Sequence, residues 1–294
     1  MRIALLVLAI AAPALAAEPD APAVVKTADA PATAPTPPTD TWQPNVPNHT
    51  LFEIGGGVQS DTGNSQLLKA NGKLTLDSQV SDNGFLLTAV GNYSQSAGQD
   101  KPVLLSVENF EGSARYDRFY SKGSSNFLSV TGRYDFFEGL DLQLNVDLGY
   151  KLVFVKNSAF SFWAELGYDF QLKLFNSTVL AQADQEEGQA LPGSATLQSI
   201  RGYLGATYAF NKFVDAKTGV EWLQGLYDDA LGWKPNEFRV VYDISLKATL
   251  VKGLSVSLSF NLRYDNAPLP DVLPLDTSTT ANLTYKFETA PSKT

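Results

Sequence analysis

From residue 50 onward the chain alternates between apolar and polar positions. The period is two, that of a strand whose successive side chains point to opposite faces, and not the 3.6 of a helix. Leu140, Leu142, Leu144, Val146, Leu148, Tyr150, Leu152 and Phe154 form one run, interleaved with Asp141, Gln143, Asn145, Asp147, Gly149 and Lys151. Phe160, Phe162, Ala164, Leu166, Tyr168, Phe170, Leu172 and Leu174 form the next. Late in the chain, Leu254, Val256, Leu258, Phe260, Leu262 and Tyr264 alternate with Ser255, Ser257, Ser259, Asn261, Arg263 and Asp265. The pattern predicts twelve strands, over 50–59, 66–80, 84–95, 107–120, 126–137, 140–154, 159–175, 197–210, 213–226, 237–250, 253–265 and 276–288. Many exceed the roughly 5–6 residues usual in soluble sheets. They suit the roughly 9–11 residues that cross a bilayer at a tilt.

The connections fall into two sets. Those at 81–84, 121–125, 156–158, 211–212 and 252–253 are tight. Those at 96–106, 176–196, 228–236 and 266–275 are long, while 60–65 and 138–139 are short although they alternate with the tight set. In transmembrane barrels the short turns face the periplasm and the longer loops face outside. The expected fold is therefore all-β: a transmembrane antiparallel up-and-down β-barrel of about twelve strands over 49–288, with both termini periplasmic.

A soluble sandwich or lipocalin-like barrel also alternates, but turns its apolar face inward. Here the polar face carries charges of both signs: Lys69, Lys73 and Asp77; Arg115 and Asp117; Arg133 and Asp135; Asp215, Lys217 and Glu221; Arg239, Asp243 and Lys247; Arg263 and Asp265. The apolar face is nearly free of charge. Its aromatics crowd towards the short turns, at Tyr116 and Tyr120, Tyr150 and Phe154, Phe160 and Phe162, Tyr208 and Phe210, and Tyr285 and Phe287. That is the interfacial girdle of a membrane barrel.

The start of the chain predicts export. Met1 and Arg2 precede an apolar run over 3–12, and Ala14-Leu15-Ala16 precedes Glu18 and Asp20. This reads as a signal peptide over 1–16; a spanning helix needs about 20 apolar residues. The stretch 17–48, with Pro31, Pro35, Pro37, Pro38, Pro44 and Pro47, reads as a flexible periplasmic tether. Residues 289–294 form a tail. The closing run of Ala281, Leu283, Tyr285 and Phe287 is the kind of strand that barrel-assembly machinery reads.

Composition acts mainly by exclusion. The formal net charge is −9 and no basic stripe exists, so no nucleic-acid partner is expected. There is no cysteine, hence no disulfide or thiolate chemistry. The single histidine, His49, sits at the junction of tether and barrel without a placed Ser or Asp partner. No metal-ligand spacing is present. Gly55-Gly56-Gly57 opens no helix and is no phosphate loop; it reads as a strand needing close backbone approach or a bend. No catalytic residue, cofactor or metal site is expected.

The candidate lumen charges are Lys69, Lys73, Asp77, Arg115, Asp117, Arg133, Asp135, Lys217, Glu221, Arg239, Asp243, Arg263 and Asp265. Two readings stand beside each other. One is a selectivity-determining constriction. The other is a structural network, since charges removed from water have to be paired. Asp184, Glu186, Glu187, Asp228, Asp229, Asp271 and Asp276 make the outward loops acidic, for divalent cations at the lipopolysaccharide surface or simply for solvation. Pro268, Pro270 and Pro274 stiffen the last loop. The expected function is a small channel for ions or small polar solutes. The alternative is a closed structural or surface-interaction barrel, with a membrane-embedded enzyme a distant third. Expected partners are outer-membrane lipid and lipopolysaccharide, the assembly machinery, and the solutes themselves.

Several local strings carry a resemblance. They are Gly55-Gly56-Gly57 with Gly63-Asn64, Ala114-Arg115-Tyr116-Asp117-Arg118-Phe119, Arg263-Tyr264-Asp265-Asn266-Ala267-Pro268 and Asp276-Thr277-Ser278-Thr279-Thr280. In this order and spacing they resemble a bacterial family of unknown function whose members are labelled salt-induced outer membrane proteins. The resemblance spans Phe52 to Phe287. It implies a single outer-membrane barrel linked to osmotic or ionic stress, with Gly63, Asn64, Tyr116, Asn266, Pro268 and Asp276 as family-like positions and no catalytic residues to carry over.

Overall fold

The computed structural model describes residues 48–61, 65–98, 104–135, 140–175, 193–228, 237–266 and 274–288. All regular structure in them is strand: β1(His49–Asp61), β2(Ser65–Val80), β3(Asn83–Gly98), β4(Leu104–Ser121), β5(Ser124–Asp135), β6(Leu140–Lys156), β7(Phe160–Phe175), β8(Ser194–Ala209), β9(Val214–Asp228), β10(Phe238–Val251), β11(Leu254–Asp265) and β12(Leu275–Glu288). Every strand pairs antiparallel with its neighbours in the chain, and β12 returns to β1, so the sheet closes into a barrel. The predicted strands agree in number, and each boundary lies within three residues of the observed one.

The largest boundary differences have one cause. The connection expected at 96–106 is shorter, because β3 runs to Gly98 and β4 starts at Leu104, with Ser96 still opposite Leu104. Strand β8 likewise starts at Ser194. Backbone ladders need only N–H and C=O groups, so polar Gln95 and Ser96 stay paired where the apolar pattern has ended. The expected signal peptide, the tether except Asn48, and the tail lie outside the described residues, as do most of the other long connections.

The two faces of the sheet invert the rule of soluble proteins. Leu148, Leu166, Leu204 and Leu258 point outward and are more than half exposed. Asp117, Glu165, Asp169 and Gln171 point inward and are buried. More polar than apolar side chains are buried among the described residues. A lipocalin-like barrel would show the reverse.

One rim holds all the tight turns, together with the start of β1 and the end of β12, where Leu51 lies opposite Glu288 and also opposite Asp77. Side chains lock these turns. Asn157 Oδ1 accepts the Ala159 and Phe160 N–H groups at 2.9 and 2.8 Å. Asn211 Oδ1 accepts those of Phe213 and Val214 at 2.8 and 3.1 Å. Gly253 takes a φ of 83°, where a side chain would be strained. Ser81 does so at 52°, its N–H donating to Asn48 Oδ1 at 2.9 Å.

Large inward aromatics are accommodated by glycines on the next strand. Phe127 lies opposite Gly149 and Trp163 opposite Gly205. Tyr203 on β8 reaches over Gly219 on β9. A Cβ on Gly205 would run into the Trp163 ring. Gly205→Ala is therefore expected to lower stability by about 1–3 kcal/mol through overpacking. Gly202→Ala, on the opposite face with its nearest neighbour atom at 4.0 Å, should be tolerated. Urea unfolding of the refolded protein compares the two.

Candidate functional site: the barrel lumen

The lumen is built from one parity of each strand, and its two sides differ. Strands β4 to β9 supply a dense, dry ion network. Arg115 Nε donates to Asp117 Oδ2 at 2.6 Å, and its two Nη groups reach Glu165 at 3.2 and 2.9 Å. Arg201 Nη1 donates to the same Glu165 at 2.9 Å, and its Nε and Nη2 reach Glu221 Oε2 at 2.8 and 2.7 Å. Asp147 lies 3.8 Å from Arg201 Nε. Ser125 Oγ donates to Asp117 Oδ1 at 3.0 Å. The Glu165 side chain has no exposed surface.

Aromatic faces complete the solvation of these cations. The Arg115 guanidinium lies 4.2 Å from the Phe127 ring centroid, and that of Arg201 lies 5.5 Å from both Phe127 and Tyr203. The Lys151 ammonium lies 5.3 Å from Trp163. Planar guanidinium suits such sites because it forks onto carboxylates and stacks on rings at once. Towards the other rim, Arg133 binds Asp135 at 2.7 Å, both buried. There Asn145 donates to Asp169 at 3.0 Å and accepts from Gln143 at 2.8 Å.

The opposite side, from β10 through β11, β12 and β1 to β2, is different. Its inward positions include Ser257, Ser259, Asn261, Asn282, Thr284 and Gly55, which are small, polar and partly accessible to solvent. Lys73 points inward from β2 and is exposed. Lys247 on β10 reaches Glu53 on β1 at 3.2 Å, spanning the intervening β11 and β12. That ion pair is partly wet, at 31% and 23% side-chain exposure. This side of the lumen is thus less densely packed, spanned by one Lys247–Glu53 bridge with Lys73 nearby on β2.

The expected lumen charges face inward wherever their side chains are described. Asp77, Arg115, Asp117, Arg133, Asp135, Glu221 and Arg239 are buried in the wall. Lys73, Lys217, Asp243, Arg263 and Asp265 retain solvent contact. Lys69 lies on β2, and its side chain is outside the description. Arg115 and Arg133 thus sit within buried ion pairs. Among the family-like positions, Tyr116 points outward and donates to Asn83 Oδ1 at 2.7 Å. Asn266 Oδ1 accepts the Phe238 N–H at 2.7 Å and ties the end of β11 to the start of β10. Asp276 lies opposite Arg263 in register, with its side chain outside the description. Gly63, Asn64 and Pro268 lie outside the described residues.

Sequence reasoning missed Glu165, Arg201, Asp147, Lys151 and Glu53. The two hub residues have no opposite charge two positions away on their own strand, and their partners come from neighbouring or more distant strands. The inward aromatics Phe127, Trp163 and Tyr203 were equally hidden, since the period alone assigns aromatics to the outer face. Removing the Glu165 charge leaves two buried guanidiniums short of a counterion. Glu165→Gln is expected to cost about 3–5 kcal/mol, whereas Ser257→Ala on the wet side should fall within about 0.5 kcal/mol of the parent. Urea unfolding in lipid vesicles measures both.

Comparison with solved structures finds barrels of the same general kind. The NanC porin is 8% identical over 81% of this chain and 98% of its own, with a TM-score of 0.47. An outer membrane channel from Pseudomonas putida F1 is 10% identical over 86% and 99%, also with a TM-score of 0.47. The KdgM porin is 9% identical over 82% and 98%, at 0.41. No curated protein matches the sequence. A family model described as "Protein of unknown function, DUF481" matches residues 54–287, from within β1 to within β12. With that match spanning nearly the whole barrel, the chain belongs to the DUF481 family of proteins of unknown function.

Proposed function

We propose that the protein is an outer-membrane channel for ions or small polar solutes, conducting along the β10–β2 side of its lumen. The observation that carries this reading is Lys73, a lysine that points into the barrel and is nevertheless exposed, beside a wall of accessible Ser, Thr and Asn. The apolar outer face supports placement in lipid, where only a closed ladder leaves no backbone group unpaired. A 12-stranded barrel is also wider than the side-chain-filled eight-stranded kind and narrower than general porins. In this reading 1–16 direct export, the tight-turn rim faces the periplasm, and 17–48 tether something there. A role in salt or osmotic stress belongs to the same proposal, and expression measured across a salt series tests it.

A second reading is favoured by the Arg115–Glu165–Arg201 network: a closed barrel whose interior is a stabilising plug. Single-channel recording of the refolded protein in planar bilayers separates the two. The channel reading expects discrete conductance steps, and an ion preference that moves towards cations in Lys73→Glu. Silence from protein shown to be folded and inserted would favour the plugged barrel.

A further inference from the structure

The tight-turn rim carries a recurring positive charge. Five turns lie on this rim, and four of them hold an exposed lysine: Lys122, Lys156, Lys212 and Lys252. The fifth, at Ser81-Asp82, has the outward, exposed Arg118 beside it, held by Asn83 at 3.0 Å. The turns are therefore spaced around the circumference, one per hairpin, and each has one cation in it or on a strand end beside it.

Turn formation does not explain these lysines. Asn157, Asn211, Ser121 and Gly253 supply the geometry, by accepting backbone N–H groups or by taking positive φ. At the strand ends beside the turns stand the exposed aromatics Tyr120, Phe154 and Phe160, and the β8–β9 turn itself carries exposed Phe210 and Phe213. Within that turn the Lys212 ammonium lies 4.8 Å from the Phe213 ring centroid. Aromatic side chains of this kind settle at headgroup depth. A flexible ammonium beside them reaches the phosphate layer.

We infer that the rim lysines form a ring that binds anionic phospholipid headgroups in the leaflet that the tight turns meet. This rests on the membrane placement proposed above, but not on conduction. Cations near an anionic leaflet attract it additively, and the effect fades within a Debye length. A ring, unlike a single cluster, would hold the barrel level by engaging headgroups on all sides.

The experiment uses the refolded full chain and the variant Lys122→Gln/Lys156→Gln/Lys212→Gln/Lys252→Gln. Each is inserted into vesicles of phosphatidylcholine alone, or with about one third phosphatidylglycerol. Flotation with the vesicles reports insertion, and thermal unfolding reports the lipid preference. The parent should unfold about 5 °C higher with phosphatidylglycerol. That gain should vanish near about 1 M salt, where the Debye length is about 3 Å, and should be largely absent from the variant. An equal gain in parent and variant would overturn the ring, as would no gain in either while both float. Failure of the parent to float in any vesicle would overturn the membrane placement itself.

Discussion

Where β12 meets β1, six residue pairs carry the closing ladder, from Leu51 opposite Glu288 to Gly56 opposite Leu283. Glycine makes this approach possible. A Cβ on Gly57 would run into the Ala281 carbonyl oxygen, and one on Gly55 would stand 3.0 Å from Thr284 Oγ1. With the seam made, the sheet closes on itself, and along the paired stretch the backbone groups of β1 and β12 are satisfied within the ladder. Only then can the outward face be almost wholly apolar. The polar residues, alternating by obligation with the apolar ones, are left to fill or line the interior.

The interior divides that polar material unequally. Between β4 and β9 it is packed: Glu165 joins Arg115 and Arg201, and Phe127 lies against both guanidiniums. Aromatic bulk fits there because Gly149, Gly205 and Gly219 leave room for it. Across the lumen many inward side chains are Ser, Thr, Asn and Gly that keep solvent contact, as do the partly exposed Lys247–Glu53 pair and Lys73. Rigidity on one side and space on the other are complementary. A barrel lined throughout by small residues would lack the cross-strand bonds that hold its shape, and one packed throughout would be solid.

Much of this was legible from the sequence. The period of two gave strand number and boundaries, because each outward residue must be apolar and each inward one polar over the whole length of a strand. The short turns located one rim, since Asn, Ser and Gly cluster there. The charge pairs Arg115/Asp117 and Arg133/Asp135 were also readable, being two apart on one strand. What stayed hidden depends on three-dimensional neighbours. Glu165 and Arg201 are 36 residues apart and meet only through the pairing of β7 with β8. Lys247 and Glu53 are separated by 194 positions and meet only because the barrel closes. Which side of a lumen is packed depends on where glycines admit aromatics, and no periodicity records that.

The chain has no cysteine, which makes a direct test of the proposed passage straightforward. Ser259→Cys places a thiol on the partly accessible side, and Ser199→Cys places one at a buried inward position of β8. Each is exposed, in folded vesicle-inserted protein, to a charged, membrane-impermeant thiosulfonate while current is recorded. The account predicts rapid modification and a fall in conductance for Ser259→Cys, and neither for Ser199→Cys. A Ser259→Cys thiol as inert as that of Ser199→Cys would contradict an open passage along β11.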